Sequence, residues 1–566
     1  MPHNSTLTLR HTAALLAAGL AASTVLAAAP VTAAGASAEH RVVVTALSGD
    51  VAAAASAVRA AGGRILDRIP LIGGVTASLP AGTVLAPAYR VAPDRPLSVA
   101  AARDRRGDNS DGNGNGNKGG AGKAGSAVSG AGNGITVAVV DTGVADVADL
   151  GGRVTHLNVS GRGSGDGFGH GTFVAGLVAG DGTSSQGKHT GVAPGASVLD
   201  VRVADAQGNS NLITVLRGLQ AVANYNENHK VSVLNLSLAS GSPLPYQIDP
   251  LSSALEALWN RGVTVVVPSG NDPDQVSSPG NDPVLLTLGA LEQGAAADHS
   301  ADTVVEFSGR GPAAQGVAKP DLVATGSHVV SLRAPGSVID SANPGSRVDG
   351  SYFRGSGTSF STAVASGAVA VLLSQRPGLT PDQVKALLTA TAYQAPGLAD
   401  RRAAGAGGLD LAKALAAPTP ADPGNTSVQV PGDPELWATF LSAVISGDRK
   451  AAASSWSRLS PEARNWAASS WSSLSFEARN WAARNWAGRD WAGADGTAEE
   501  WAARNWAARN WAASSWSASS WSARNWAARN WAASSWSASS WSDDDWAARN
   551  WAASSWSARN WAGIWR

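Results

Sequence analysis

Three short passages carry side chains that can act on one another as nucleophile, base and orienting acid. The first, Ile135-Thr-Val-Ala-Val-Val-Asp141-Thr-Gly143, is an apolar run that ends on a carboxylate and a glycine turn. Open α/β sheets present functional groups at such strand ends. In the second, Gly169-His170-Gly171-Thr172 opens a small and apolar helical run from Phe173 to Gly180. In the third, Gly355-Ser-Gly-Thr358-Ser359 leads into a small-residue helix through Leu373. A nucleophilic serine needs a base within hydrogen-bond reach and an acid to orient that base. A hydroxyl at a helix N-terminus also has unpaired backbone N–H groups beside it, which can stabilise a developing oxyanion. Each passage alone is weak, since an aspartate at a strand end is commonly a turn or cap residue. Together, in the order Asp141, His170, Ser359, they follow one of the chain orders known for such a triad.

The elements that must position these groups lie in residues 134–417, where short Val/Ile/Leu runs alternate with helical stretches. That alternation predicts an α/β domain with a mainly parallel sheet. At 566 residues the chain holds two or three folded units. Its charge balances at 43 basic and 43 acidic side chains, so nothing global points to nucleic acid. With no cysteine, thiol catalysis, Cys-based zinc and disulfides are excluded. Arg10 and His11 precede an Ala/Leu/Val-rich run from Ala13 to Ala29, followed by small-residue cleavage options. Residues 1–38 therefore read as a secretory signal rather than a spanning anchor, and the protein as secreted, extracellular or attached to the cell surface. Residues 39–102 form a small α+β block: strand Arg41–Leu47, a helix from Asp50 to Ala61 capped by Ser48 or Asp50, and strands Arg64–Ile69 and Gly74–Leu79. Residues 103–133 are a Gly/Asn-rich linker and 418–435 a Pro-rich spacer.

Residues 134–417 resemble a subtilisin-like serine protease (subtilase) domain. Val-Ala-Val-Val-Asp141-Thr-Gly is similar to the family's Asp motif, Gly-His170-Gly-Thr to its His motif and Gly-Thr-Ser359 to its Ser motif. Val266-Val-Pro-Ser-Gly270-Asn271 resembles the passage that supplies the oxyanion-hole Asn271. Leu234-Asn-Leu-Ser237-Leu238-Ala239 resembles the edge segment on which substrate backbone pairs as an added strand, and with Gly270 it would line the substrate site. Gly191-Val-Ala-Pro-Gly195, Phe307-Ser-Gly-Arg-Gly311 and Lys319-Pro-Asp-Leu-Val-Ala-Thr-Gly326 fit further family signatures. Departures are Phe360-Ser-Thr-Ala363 after the nucleophile, where the family has Met-Ala-x-Pro, Pro268-Ser269 beside the specificity pocket, and Thr325 in place of a proline. The lost proline predicts a more regular helix.

The resemblance implies a subtilisin-like three-layer α/β fold and acyl transfer by Ser359, His170 and Asp141, with protein or peptide substrates. It implies that residues 39–102 are an inhibitor-type propeptide, the chain's own intramolecular inhibitor; an independent adhesion module is the other reading. No cofactor is required and no metal ligand set is assigned, for His156, His189, His229, His299 and His328 show no paired ligand spacing. Subtilases often carry structural calcium, but no Asp-rich calcium loop can be named here. The tail, residues 436–566, holds all but Trp259 of the 22 tryptophans, and from Trp456 to Trp561 they keep a five-residue phase. Neither a helix nor a strand gives that phase a constant face. Disorder, a loose helix and a square solenoid stay open, and a cell-wall, glycan or membrane-surface partner is expected. The alternative function is a cell-surface binding or structural protein whose protease domain mainly processes its own precursor.

Overall fold

Alternating apolar residues in residues 39–99 build a small antiparallel sheet. In the computed structural model, β1 (Glu39–Ala46), β2 (Arg64–Ile69), β3 (Gly74–Pro80) and β4 (Tyr89–Pro93) pair in the order β2-β3-β1-β4. The structure describes residues 39–81, 83–86, 88–99, 131–161, 165–240, 242, 246–296, 298–312 and 318–423, with a few further on. Helix α1 (Val51–Ala60) is capped by Asp50, whose carboxylate accepts from the Ala52 and Ala53 N–H groups at 2.7 and 3.1 Å. Val42, Val44, Val75 and Ala77 pack with Ala54 and Val58 of α1 into a private core. Val43, Ile69, Leu71 and Ala92 instead join the large core of the following domain. Strand β4, and β5 (Pro96–Val99), went unforeseen in the sequence, where Pro93, Pro96 and one intervening charged pair mask the alternation.

The main sheet comes from the expected Val/Ile/Leu runs. Strands β6 (Thr136–Asp141), β7 (Val154–Asn158), β8 (Ser197–Arg202), β10 (Val233–Leu236), β12 (Thr264–Pro268), β13 (Leu286–Glu292) and β17 (Leu322–Thr325) all pair in parallel. Between them in sequence come β9 (Asn209–Asn211) and β11 (Leu238–Ala239), which pair with β5, the antiparallel edge strand β14 (Thr303–Val304), and the hairpin β15 (Gly311–Pro312) with β16 (Ala318–Lys319). Val137 through Val140 are fully buried, as a parallel strand covered on both faces requires. The domain is thus α/β with a central, mostly parallel sheet.

Helices cover this sheet in two groups. Helix α2 (His170–Ala179) packs on α6 (Thr358–Gln375), which lies across β10, β12, β13 and β17. Both are small or apolar all round and are buried nearly throughout, which is what such composition demands. Among the described residues α6 is the helix long and apolar enough to cross a membrane, but it is the core helix of this domain. It runs 18 residues without a break, as the missing proline predicted. Helices α3 (Leu212–Asn226) and α4 (Pro250–Trp259) pack on each other, capped by Asn211 and Asp249. The short α5 (Val338–Ala342) adjoins a small sheet of β18 (Val329–Leu332), β19 (Arg347–Val348) and β20 (Tyr352–Gly355), and α7 (Pro381–Thr391) starts at a Thr380/Gln383 capping box.

The signal segment 1–38, most of the linker 103–133 and most of the spacer and tail lie outside the described residues. Described within the tail are β21 (Trp516–Ala518), β22 (Trp531–Ala533), β23 (Trp536–Ala538) and β24 (Trp551–Ala553). Pairs β21/β23 and β22/β24 are both parallel with Trp opposite Trp, so each pair joins strands four pentads apart.

Candidate active site

The strand end and the helix start are joined through side chains. Asp141, the last residue of β6, is fully buried, and both its oxygens face His170 Nδ1, at 2.9 and 3.0 Å. Nδ1–H donates to this carboxylate, which fixes the tautomer and leaves Nε2 as the basic nitrogen. His170 opens α2, and a Cβ on Gly171 beside it would run into the Gly143 carbonyl oxygen, so both glycines of the two motifs serve one close approach. Asp166 ties the same pieces together. It accepts from Thr142 Oγ1, Gly169 N, Thr172 N and Thr172 Oγ1 at 2.7–2.8 Å, while Thr142 Oγ1 accepts from Gly171 N at 2.9 Å. Burial pushes the Asp166 carboxyl above the ordinary carboxylate range, and those four bonds pull the other way.

Ser359 is the second residue of α6 and is 1% exposed. Its Oγ donates to the Ser237 carbonyl at 3.4 Å, and Ser237 Oγ donates back to the Ser359 carbonyl at 3.3 Å. Asn271 Oδ1 accepts from both the Thr358 N–H at 3.0 Å and Thr358 Oγ1 at 2.9 Å, which turns its amide NH2 away from Thr358. Gly270, at φ +100°, makes the turn that brings Asn271 there. Phe360 stacks on the His170 imidazole, ring centroids 5.5 Å apart, and on Phe173 at 4.3 Å. His170 Nε2 is buried and makes no hydrogen bond.

The expected substrate segment is already paired. Leu238 and Ala239 form β11, opposite Val99 and Ser98 of β5, whose other edge pairs with β9. Asp166, the ring contact of Phe360 with His170 and the pairing of β5 were missed in the sequence; Asp166, four residues before His170, and Phe360, next to Ser359, both stood close to a motif. A second Asp–His pair lies nearby, with His156 Nδ1 2.8 Å from Asp200 Oδ2 and burial pushing Asp200 up to about 6. Among the described residues no group of three or more His, Cys, Asp or Glu side chains is arranged to hold a metal ion.

These motifs on this sheet can be set beside known proteins. The model described as "Subtilase family" matches residues 132–410. Subtilisin Savinase of Lederbergia lenta is 33% identical over 263 residues, which cover 84% of its length and 46% of this chain. The chain belongs to the subtilase family. Serine protease AprX of Bacillus subtilis (strain 168) is 41% identical over 269 residues, 45% of this chain. That match spans 61% of AprX, less than two thirds of it. The crystal structure of fervidolysin from Fervidobacterium pennivorans, described as a keratinolytic enzyme related to subtilisin, shares the fold. Its TM-score is 0.52 at 24% identity, over 68% of this chain and 62% of that one.

Proposed function

We propose that the chain is a secreted serine endopeptidase made as a latent precursor, with Ser359 as nucleophile, His170 as general base and acid, and Asp141 as the group that orients His170. The observation that carries this reading is the strand β5. It lies on β11 directly after Ser237, the residue bonded to Ser359, in the antiparallel register an extended peptide substrate would use. Leu97 and Val99 point inward, 1% and 6% exposed. Residues 39–99 thus act as the propeptide, held over the site by their own strand.

In the reaction, Ser359 Oγ attacks the scissile carbonyl carbon as His170 Nε2 takes the hydroxyl proton. The tetrahedral oxyanion is met by the Asn271 amide and the Ser359 N–H. The C–N bond then breaks, His170 passes its proton to the leaving amine, and the acyl group stays on Ser359. Water, deprotonated by His170, hydrolyses that ester and regenerates the hydroxyl. Asp141 stabilises the imidazolium throughout without taking the proton. No step calls on a cofactor, and a structural calcium would stand outside these steps.

The test is hydrolysis of casein by the processed protein, with Ser359→Ala as control and the masses of both chain ends as the record of processing. The variant is expected to lose about 10^4- to 10^6-fold in turnover and to keep residues 39–99 attached. Undiminished casein hydrolysis by Ser359→Ala would sink the reading. Self-cleavage without hydrolysis of casein would favour the binding-protein alternative. For the tail, the parallel Trp-on-Trp register of both described pairs supports a repeat that presents each pentad alike, and we assign it to surface attachment on glycan or membrane. Equal retention on the producing cells by a chain ending at Pro434 overturns that assignment.

A further inference from the structure

One residue before β5, a guanidinium is buried in a seat made by the peptidase domain. Arg95 Nη2 lies 2.7 Å from both oxygens of Asp249, and its Nε donates to Ser240 Oγ at 3.3 Å. Both ends are inaccessible, Arg95 8% exposed and Asp249 0%. The Arg95 carbonyl accepts from the Leu212 N–H at 2.9 Å, so the backbone is fixed at the same point. Around this pair residues 39–99 meet the domain through softer contacts. Asp94 accepts from Ile213 N at 3.2 Å, Asp67 pairs with Arg217 at 2.6 Å, and Gln220 accepts from Leu71 N at 2.8 Å.

The seat is built without help from residues 39–99. Asp249 is the cap of α4, accepting from Leu251 N at 3.0 Å, and Ser278 Oγ donates to its second oxygen at 3.4 Å. Ser240 is held by its N–H to the Ser278 carbonyl at 2.9 Å. When β5 leaves, a carboxylate buried at the end of the substrate strand's path loses its cation and keeps only these neutral donors. An uncompensated buried charge is costly, and a cation carried in by the next strand relieves it.

We propose that Asp249 and Ser240 form a guanidinium-binding subsite of the active enzyme, filled in the precursor by Arg95 and in turnover by an arginine of an extended peptide substrate. The position is set by register. Arg95 stands four residues upstream of Val99, which faces Leu238, and any peptide that pairs with β11 and β9 as β5 does puts its own side chain there. Arginine fits better than lysine because Nη2 serves Asp249 while Nε reaches Ser240, two contacts that one ammonium cannot reproduce together. The proposal rests on the peptidase reading above and names a substrate class for it: peptides extended well upstream of the cleaved bond, with arginine at that place.

The experiment uses the processed protein and peptides copying Tyr89–Val99, with arginine, lysine or glutamine at position 95, as competitors of casein hydrolysis. The arginine peptide is expected to inhibit most strongly, lysine less, and glutamine at least about 30-fold less. Asp249→Asn keeps a good helix cap and should erase the ranking, while Ser240→Ala, which leaves the cap untouched, should shrink the gap between arginine and lysine. Equal inhibition by all three peptides, with casein still hydrolysed, overturns the subsite and leaves the peptidase standing. Loss of casein hydrolysis altogether strikes the peptidase reading instead. The ranking of fluorescein-labelled copies by anisotropy then decides the subsite on its own.

Discussion

The two ends of the parallel sheet both bury ionisable groups, and they treat them in opposite ways. At the carboxyl end, Asp141 and His170 are paired, yet His170 Nε2 is left buried with no hydrogen bond. At the amino end, ahead of β13 and β17, every ammonium is saturated. Fully buried Lys319 donates to the Leu285 carbonyl at 2.9 Å, Thr287 Oγ1 at 3.0 Å and Asp321 at 2.7 Å. Lys385, from α7, donates to the Pro283 and Leu285 carbonyls at 2.6 and 2.9 Å and lies 3.2 Å from Asp321. Burial pushes Lys319 down to about 7; burial also raises Asp321, but the charges of the two lysines outweigh it and hold Asp321 below the ordinary carboxylate range. The clamped strands β13 and β17 lie beside β12, whose carboxyl end leads to Asn271. A satisfied charge network registers strands, while in the proposed function the unsatisfied nitrogen is the base.

The largest effect that sharpens this contrast is on stability. Asp321→Asn leaves buried Lys319 and part-buried Lys385 with no carboxylate between them, and unfolding free energy is expected to fall by about 3–5 kcal/mol. Denaturant titration measures it, with turnover at low temperature expected to stay near the parent value. A loss of turnover without a loss of stability would mean the two ends are not separate in role. Next in size, Asn271→Ala should cut kcat by about 100- to 1,000-fold while the denaturation midpoint moves little. A fall in stability comparable with that of Asp321→Asn would break the comparison from the other side.

Sequence reading reached the carboxyl end far better than the amino end. Asp141, His170 and Ser359 each sit at a change of local structure, strand to turn or loop to helix, and such junctions leave marks in glycine placement. Asp50 as a cap and the uninterrupted α6 were legible for the same local reason. The amino-end network has no such mark. Lys319 and Asp321 stand in a passage that fits a family signature, but Glu256, Asp282 and Lys385 come from separate elements, and nothing in their local sequence distinguishes them from solvated charges. Arg95 and Asp249, 154 residues apart, met the same limit. Strand β5 is four residues long and starts on a proline, so only the presence of β9 and β11 makes it a strand.

The smallest effect concerns a proton at the amino end. Asp282 is buried beside the Glu256 carboxyl of α4, with the charges of Lys319 and Lys385 also acting on it. Burial, then the Asp282 charge, pushes Glu256 up to about 8, and burial raises Asp282 as well, so the pair keeps a proton well above the ordinary carboxylate range. The sign follows from that direction. An acid whose folded value is raised binds its proton more tightly in the native state, so its contribution is fully present below the unfolded value of about 4.3. It is lost as pH rises toward about 8. Glu256→Gln replaces the shared proton with an amide hydrogen that does not titrate. The variant's Tm, measured against the parent from about pH 5 to about pH 8, should therefore gain steadily by a few degrees as pH rises. A constant offset across that range would show that Glu256 is ionised in the native protein. The amino end would then carry an unsatisfied charge of its own, and the distinction between a clamped end and a reactive end would fail at this residue.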